Sequence, residues 1–312
     1  MFNTTGARLA GLAMGVAVLL TSCTTFPAPG APPSGDGCDQ PARAVSHQPA
    51  SIEVDNTVRN YTWSASDRPG PKPLVIDIHG LLEGVFAGVH PEMTQYTAKA
   101  HEEGFVVAAP IGENGGVNWD LGEHTASLRF IDQLLVQVRS DACIDPARIY
   151  VTGLSYGAAM TTQIMCYRSE VFAAAAPVAG LLAPDNAGLI DPGNCHPTRK
   201  IPVVTFHGDA DPILPFDYFA SSPQAWATRY GCGPKTTTTV VAADEVTKRP
   251  IFKDTWDCPD TAVESYRIEG GGHAWPGSAF STAIVGIVGL TPTSIDATDI
   301  SWDFFERFSL PH

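Results

Sequence analysis

Basic residues are scarce in this chain of 312 residues, which carries 19 Lys and Arg against 33 Asp and Glu. The formal net charge of -14 at pH 7 would be repelled by phosphate backbones and by anionic surfaces. The acidic residues are spread along the chain, which indicates a solubilising surface rather than a binding site. We therefore expect no nucleic acid among the partners.

The sequence also lacks any Cys-x-x-Cys pair, and the spacing of its 7 cysteines does not resemble a zinc site. We expect neither a metal nor an organic cofactor. When Cys23 is set aside, the remaining cysteines form an even set, which suits an oxidising compartment. Many pairings of that set are open to the sequence alone. Pairing of nearest neighbours predicts the disulfides Cys166–Cys195, Cys232–Cys258 and Cys38–Cys143.

No hydrophobic run is long enough to cross a bilayer comfortably, and the apolar residues 9–20 have the length of an export signal core. Residues 1–22 are therefore predicted to be a signal peptide. The run ends in Leu-Thr-Ser-Cys, which resembles the lipobox of bacterial lipoproteins and implies lipidation at Cys23. A plain signal peptide cleaved nearby is the alternative. The proline- and glycine-rich residues 23–44 are expected to be a tether, which makes the protein extracellular or lipid-anchored at the outer face of the membrane.

Neither an interior linker nor an internal repeat interrupts residues 45–312, which favours a single domain. Short apolar runs alternate with helical periodicity, as is typical of an α/β protein with a mainly parallel, doubly wound sheet and helices on both faces. The predicted strands lie within residues 51–64, 74–78, 105–109, 149–154, 172–178, 201–206 and 263–268. The predicted helices lie at residues 91–103, 127–138, 158–166, 217–230 and 297–308.

Residues 149–157 read Ile-Tyr-Val-Thr-Gly-Leu-Ser-Tyr-Gly, a β-branched run that ends in a Gly-x-Ser-x-Gly motif before a helix-forming segment. The order is strand, sharp turn, helix. A Cβ at Gly153 or Gly157 would collide with neighbouring backbone, and the strained turn would raise the Ser155 hydroxyl above the sheet. Ser155 is therefore a candidate nucleophile. The alternative is an ordinary strand-to-helix turn with a capping serine.

A nucleophilic serine needs a base within hydrogen-bond reach and an acid that orients the base. His273 follows the last predicted strand and three glycines, which gives a loop able to bring an imidazole to Ser155. Asp209 and Asp211 both follow the strand predicted at 201–206, and each could instead cap an Asx-turn. The order Ser, Asp, His along the chain is that of α/β-hydrolases.

Backbone N–H groups can stabilise the oxyanion that forms when a serine attacks a carbonyl group. The N–H of Tyr156 would lie at the positive end of the helix that follows Ser155. The second donor should come from the loop after the strand predicted at 74–78, where His79-Gly80 permits close approach of the backbone. The N–H of Leu81 is our candidate there.

Longer motifs surround these residues. They are Asp-Pro-Ala-Arg-Ile-Tyr-Val-Thr-Gly-Leu-Ser at 145–155, Phe-Ala-Ala-Ala-Ala-Pro-Val-Ala-Gly at 172–180, His-Gly-x-x-Asp-Pro-Ile-Leu-Pro-Phe at 207–216, Ile-Glu-Gly-Gly-Gly-His-Ala-Trp-Pro-Gly at 268–277, and the segment 295–305. Together they resemble the secreted polyhydroxybutyrate depolymerase and feruloyl esterase family, and the similarity spans residues 58–308.

The resemblance implies an α/β-hydrolase fold and a carboxylic ester hydrolase whose triad is Ser155, Asp211 and His273, which favours Asp211 over Asp209. Two departures lie near the expected substrate. The family usually has Asn-Gly-Gly after its serine, where this chain has Tyr-Gly-Ala at 156–158. It also has Cys-Trp-Asn-Trp where this chain has Val-Asn-Trp at 117–119. They leave the chemistry intact and the substrate open.

The substrates that fit are a short polyester, a feruloyl ester or an acetyl ester, and we expect a monomer. Trp119, Trp275 and His79 are the candidates for substrate binding, with core packing as the alternative for the two indoles. The apolar residues 279–290 could be a flap beside the site or a buried loop. Other functions left open are a peptidase of the prolyl-oligopeptidase type and a non-catalytic surface lipoprotein that binds ligands on a hydrolase scaffold.

Overall fold

The computed structural model describes Cys38 and residues 41–185 and 195–311. The predicted signal peptide, the lipidation site Cys23 and most of the predicted tether lie outside these residues. Ten described strands form one sheet. They are β1 (Val45–Val54), β2 (Thr57–Ala65), β3 (Lys72–Ile78), β4 (Val106–Pro110), β5 (Ile144–Leu154), β6 (Ala174–Val178), β7 (Val203–Gly208), β8 (Lys235–Val241), β9 (Ile251–Trp256) and β10 (Val263–Ile268).

The helices differ widely in length, and the longest of those described follows the loop that contains Trp119. They are α1 (Val89–Thr94), α2 (Tyr96–Glu103), α3 (Glu113–Gly116), α4 (Ala126–Asp141), α5 (Tyr156–Tyr167), α6 (Ser222–Arg229), α7 (Ala279–Ala283), α8 (Val285–Val288) and α9 (Ala297–Phe305). Within the described residues, no helix has the length and apolar character needed to span a membrane.

The strand order across the sheet is β1-β2-β4-β3-β5-β6-β7-β10-β9-β8. The six central strands, from β4 to β10, pair in parallel. The antiparallel pair β1 and β2 borders one side, and β9 and β8 border the other. The sheet is therefore mainly parallel, as the alternation of apolar runs and helices predicts.

Strand β3 shows why helices cover both faces of this sheet. Its side chains alternate between the faces, so Leu74 and Ile76 belong to one buried cluster while Val75 belongs to the other. The first cluster includes apolar residues of α4 and α5, and the second includes residues of α2 and α9. Burial on both faces accounts for the continuous apolar runs in the sequence, and the doubly wound α/β prediction is confirmed.

Two strands were not predicted, and two predicted helices differ from the structure. Strands β8 and β9 lie where no strand was predicted. The helix expected at 91–103 is two helices, because Gln95 adopts a left-handed conformation with φ of 57° between α1 and α2. The helix expected at 217–230 starts later, since Phe216–Tyr218 forms a separate 3-10 turn before α6.

Cysteine pairing in the structure follows the nearest-neighbour prediction. The described disulfides are Cys38–Cys143, Cys166–Cys195 and Cys232–Cys258. The second joins the end of α5 to the segment before β7, and the third joins the segment after α6 to the loop after β9. The predicted pairing of these cysteines is therefore confirmed.

Candidate active site

The turn between β5 and α5 is strained at Ser155, whose φ of 58° and ψ of -117° are rare for a residue with a side chain. A Cβ on Gly153 would lie 2.6 Å from the carbonyl oxygen of Ile78, and one on Gly157 would lie 2.0 Å from the same atom. The turn can therefore pack against the end of β3 only with glycine at both positions. This confirms the role predicted for the two glycines.

His273 lies beside Asp211 in the loops that follow β10 and β7. The ring nitrogen Nδ1 of His273 lies 2.7 Å from Oδ2 of Asp211. The other carboxylate oxygen, Oδ1, accepts the backbone N–H groups of Ile213 and Leu214, each at 2.8 Å. Asp211 is thus fixed by its own loop and can hold one tautomer of the His273 ring, with Nδ1 protonated.

Close packing of two glycine-containing loops brings this pair together. A Cβ on Gly208 would lie 2.2 Å from the carbonyl oxygen of Gly271, so the end of β7 touches the loop after β10 directly. The N–H of Ala210 also donates to that carbonyl oxygen at 3.0 Å. The glycines that precede His273 in the sequence therefore serve this approach as well as the turn.

Asp209, the alternative acid, has different partners. Its carboxylate accepts the N–H of Gly270 at 2.7 Å and lies 3.3 Å from Arg267. It therefore anchors the base of the glycine loop, whereas the contact with the His273 ring comes from Asp211. The geometry favours Asp211, as the resemblance implies.

His207 is a second imidazole on Asp211 that sequence reasoning missed. Its Nε2 lies 3.1 Å from Oδ2 of Asp211 and 3.1 Å from the carbonyl oxygen of Leu214, so Nε2 carries the proton and donates to both. Burial raises the pKa of Asp211, but the hydrogen bonds from His207 and His273 outweigh it and hold that pKa well below its ordinary value. Asp211 is an anion at neutral pH. The signal for His207 was its position at the end of a predicted strand, four residues before Asp211.

The two backbone N–H groups predicted as oxyanion donors, those of Tyr156 and Leu81, have no acceptor among the described residues. The N–H of Tyr156 lies in the first turn of α5, where N–H groups have no partner within the helix. The N–H of Leu81 has no acceptor in the part of the chain that the structure describes. A Cβ on Gly157 would also lie 2.7 Å from the carbonyl oxygen of His79, so the loop that carries Leu81 begins beside the turn at Ser155.

Comparison with known proteins points to esterases. A family model described as Phospholipase/Carboxylesterase matches residues 124–242. NocK, an inferred esterase of Nocardia uniformis subsp. tsuyamanensis, is 27% identical over 95% of this chain and 97% of its own length. Feruloyl esterase C of Emericella nidulans is 30% identical over 54% of this chain and 59% of its length. Poly(3-hydroxyalkanoate) depolymerase C of Paucimonas lemoignei is 34% identical over 37% of this chain and 29% of its length.

Among solved structures, the acetyl xylan esterase from Aspergillus awamori superimposes with a TM-score of 0.56 at 18% identity, covering 77% of this chain and 98% of that one. This chain has the α/β-hydrolase fold, and its named relatives are esterases. This chain spans nearly all of NocK but less than two thirds of the feruloyl esterase and the depolymerase.

The Ser155 hydroxyl and the His273 ring share no hydrogen bond within the described residues. Ser155 is half-buried, whereas the side chain of His273 is only 5% exposed. In hydrolases without a ligand, the bond between serine and base is often long and tightens only when substrate binds. The protein holds the Asp211–His273 pair and the strained serine as separate, preformed parts.

The predicted substrate-binding residues His79 and Trp119 lie in the interior, with exposures of 2% and 1%. His79 donates from Nδ1 to the Gly80 carbonyl oxygen at 2.7 Å and accepts the Gly112 N–H at Nε2 at 2.9 Å. The Trp119 indole donates to the His79 carbonyl oxygen at 2.9 Å. Burial lowers the pKa of His79 to about 4, so its ring is neutral. This geometry does not support substrate contact, because both side chains are enclosed by the loop that they hold.

The third predicted substrate-binding residue, Trp275, is also interior. It is 1% exposed, and its indole N–H donates to the Thr298 hydroxyl at 3.0 Å. Trp275 packs edge-on against His90 and Tyr96, with centroid distances of 6.4 and 6.0 Å. Substrate contact is again not supported. Both Trp119 and Trp275 pack in the interior, which was the alternative for the two indoles.

Residues 279–290 are not the buried loop that the sequence allowed. They form α7 and α8, and Val285 and Ile287 are 45% and 67% exposed. The carbonyl oxygen of Val288 accepts the backbone N–H of His273 at 2.6 Å, so this exposed segment borders the base directly.

Across residues 41–185 and 195–311, no cluster of three or more His, Cys, Asp or Glu side chains could hold a metal ion.

Proposed function

We propose that this protein is an exported serine hydrolase of carboxylic esters. Ser155 attacks the ester carbonyl while His273 takes its proton, and His273 later donates that proton to the leaving alcohol. Asp211 orients the ring of His273. Water then attacks the carbonyl of the acyl-enzyme while His273 takes its proton. His273 returns that proton to Ser155 as the acid leaves.

The contact that carries this proposal is the 2.7 Å hydrogen bond between His273 Nδ1 and Asp211 Oδ2. It fixes the proton on Nδ1 and leaves Nε2, the atom that a base needs, without a partner among the described residues. The oxyanion would be held by the N–H groups of Tyr156 and Leu81. The strained backbone at Ser155 supports the same assignment, because a costly conformation persists where it has a use.

The test is hydrolysis of p-nitrophenyl acetate and butyrate by the fragment from Cys38 onward. Ser155→Ala should lower kcat by roughly 10⁵- to 10⁶-fold, the loss typical of a removed nucleophile. Ser309→Ala, at an exposed serine near the C-terminus, is the matched control and should retain the parent rate. Equal rates for the parent and Ser155→Ala would remove the serine mechanism.

The substrate class proposed is a short polyester, a feruloyl ester or an acetyl ester, in line with the names of the relatives. A panel of hydroxybutyrate oligomers, methyl ferulate and acetylated xylan, compared by kcat/KM, separates these three. Preference for a peptide bond over all three esters would favour the peptidase alternative. An inactive protein that binds an ester without turnover would favour the non-catalytic one.

Export and anchoring complete the proposal. The disulfides support an oxidising compartment, since cytosolic thiols are kept reduced. We place the catalytic domain at residues 45–312, tethered by residues 23–44 to a lipid on Cys23. Intact mass of the protein isolated from membranes tests the anchor: a lipid-sized increment absent from Cys23→Ala is expected, and an unmodified mass would contradict it.

A further inference from the structure

A buried ionic cluster lies beneath the loop that carries Leu81. The His90 ring, in α1, is 2% exposed and sits between two carboxylates. Its Nε2 lies 2.9 Å from Asp77 Oδ1, and its Nδ1 lies 3.0 Å from Glu83 Oε2. Asp77 is 1% exposed near the end of β3, and its second oxygen accepts the Thr94 hydroxyl at 2.6 Å.

Both ring nitrogens of His90 face acceptors, so the ring carries two protons and is a cation. Burial lowers the pKa of His90, but the Asp77 and Glu83 carboxylates outweigh it and raise that pKa to about 10. Burial likewise raises the pKa of Glu83, but the hydrogen bond and charge of His90 outweigh it and leave that pKa below its ordinary value. Buried ion clusters of this kind seldom add net stability over apolar packing, so stability alone does not explain three charges here.

The cluster reaches the backbone through Glu83. Oε2 of Glu83 accepts the N–H of Gly80 at 2.7 Å, and His79 Nδ1 donates to the carbonyl oxygen of Gly80. On the other side of the loop, the N–H of Leu82 donates to the Val117 carbonyl oxygen at 2.8 Å. The peptide groups on both sides of Leu81 are therefore fixed, while the N–H of Leu81 itself has no acceptor in the described chain.

We propose that Glu83 and His90 are positioning residues for the oxyanion site. The His90 cation holds the Glu83 carboxylate against the Gly80 N–H, and this bond aims the Leu81 N–H at the carbonyl oxygen that Ser155 attacks. The inference rests on the proposed roles of Ser155 and Leu81. Neither positioning residue touches the substrate, since Glu83 acts through Gly80 and His90 acts through Glu83.

The test is a double-mutant cycle with Glu83→Gln, His90→Gln and the double variant on p-nitrophenyl butyrate. Each single variant should lower kcat by about 10- to 100-fold with KM within about twofold, below the roughly 10²- to 10³-fold loss on removing an oxyanion donor outright. The double variant should lose little more than either single one, because the two residues act in one chain of contacts. Each variant is first checked for a folded circular dichroism spectrum.

Two further measurements separate positioning from general destabilisation. An alkyl trifluoromethyl ketone forms a hemiketal oxyanion with a serine. In each single variant its inhibition constant should therefore rise by the same factor as kcat/KM falls. Glu264→Gln is the matched control. Like Glu83, Glu264 is an ion-paired carboxylate; it is buried and lies 2.7 Å from both Lys253 and Arg307, at the start of β10, away from the loop. We expect it to keep the parent kcat.

The outcomes are distinct. Parent-like kcat in Glu83→Gln and His90→Gln, with Ser155→Ala inactive, would overturn the positioning inference and leave the proposed function standing. Equal loss in Glu264→Gln would also overturn it. Activity retained by Ser155→Ala would overturn both. If Glu83→Gln does not fold, His90→Gln carries the same readouts.

Discussion

Two buried histidines, His273 and His90, differ in how many carboxylates each one meets. His273 has Asp211 on Nδ1, and no described residue bonds its Nε2. His90 has a carboxylate on each ring nitrogen, Asp77 and Glu83. One carboxylate orients an imidazole and leaves its other nitrogen free to accept a proton, whereas two carboxylates keep the ring a cation at neutral pH. The partner of the second ring nitrogen therefore decides whether a buried histidine can act as a base or only holds neighbouring carboxylates in place.

His79 gives a third state of the same side chain. Its two ring nitrogens meet a backbone carbonyl oxygen and a backbone N–H group, without a carboxylate. Burial then dominates and lowers the pKa of His79 to about 4. The neutral ring of His79 and the cationic ring of His90 hold the same loop from two sides. The contrast shows that the neighbours, rather than burial alone, set the charge of an interior imidazole.

The largest expected effect comes from breaking the His273 side of the comparison. Asp211→Asn keeps the shape of the acid but removes the charge that favours one tautomer of His273. We expect kcat for p-nitrophenyl butyrate to fall by about 10⁴-fold, as in other triads. Asp209→Asn, two residues away, is the control and should stay within about threefold, because Asp209 bonds Gly270 rather than His273. A larger loss in Asp209→Asn would reverse the assignment of the acid.

The next prediction concerns His90 and the pH dependence of the free energy of unfolding. Because the folded state raises the pKa of His90 to about 10 from 6.5, its contribution is fully present below about pH 6.5 and is lost as the pH rises toward 10. The free energy of unfolding should therefore fall with pH in that window, by at most about 1.4 kcal/mol per pH unit from this one proton. Urea unfolding at pH 6.5, 8 and 9.5 measures the slope.

His90→Gln is the matching variant for that slope. It removes the proton that the folded state retains between Asp77 and Glu83. The variant should therefore be less stable at pH 6.5 and should show a flatter pH dependence than the parent. Identical slopes in the two proteins would mean that His90 is neutral in the folded state.

The smallest effect concerns His207, the second imidazole on Asp211. His207→Phe removes one donor but keeps an aromatic ring against Phe216 and Phe219. Asp211 keeps two backbone N–H bonds and His273, so kcat should fall by less than about tenfold, while the free energy of unfolding falls by about 1–3 kcal/mol. Kinetics and urea unfolding measure the two effects, with the exposed His124→Phe as control. A loss of kcat as large as that of Asp211→Asn would mean that Asp211 orients His273 only while His207 donates to it.

The parts of the site that follow from local sequence could be predicted. The Gly-x-Ser-x-Gly motif predicts a tight turn between a strand and a helix. The position of Ser155, and the lack of room for a Cβ at Gly153 and Gly157, therefore follow from the motif. Two of the described disulfides, Cys166–Cys195 and Cys232–Cys258, close short segments of 29 and 26 residues, and the pair Cys38–Cys143 is what those two leave. The central strands were predictable because burial on both faces leaves a continuous apolar run.

The parts that depend on contacts between distant segments could not be predicted. Asp77 was visible only as one charge in an apolar strand, and its partner His90 comes from the next helix. Nothing in the sequence shows that His207 donates to Asp211 rather than to solvent. Trp119 and Trp275 could equally line a pocket or fill a core, because an indole suits either place.

Strand β8 was missed for a different reason. It reads Lys-Thr-Thr-Thr-Thr-Val-Val, and nearly all of it is exposed at the edge of the sheet. A strand without a buried face has no alternation of apolar and polar residues, which is the signal that predicts strands. Its pairing with β9 is therefore visible only in the structure.

The most direct test of the central claim is covalent labelling by an alkyl fluorophosphonate, in which the attacking oxygen bonds phosphorus and fluoride leaves. We predict one adduct by intact mass, located by peptide mapping to Ser155 and absent from Ser155→Ala. Labelling should slow sharply in His273→Ala, because the hydroxyl then has no base. A stoichiometric adduct on another serine, or labelling unaffected by loss of His273, would contradict the account.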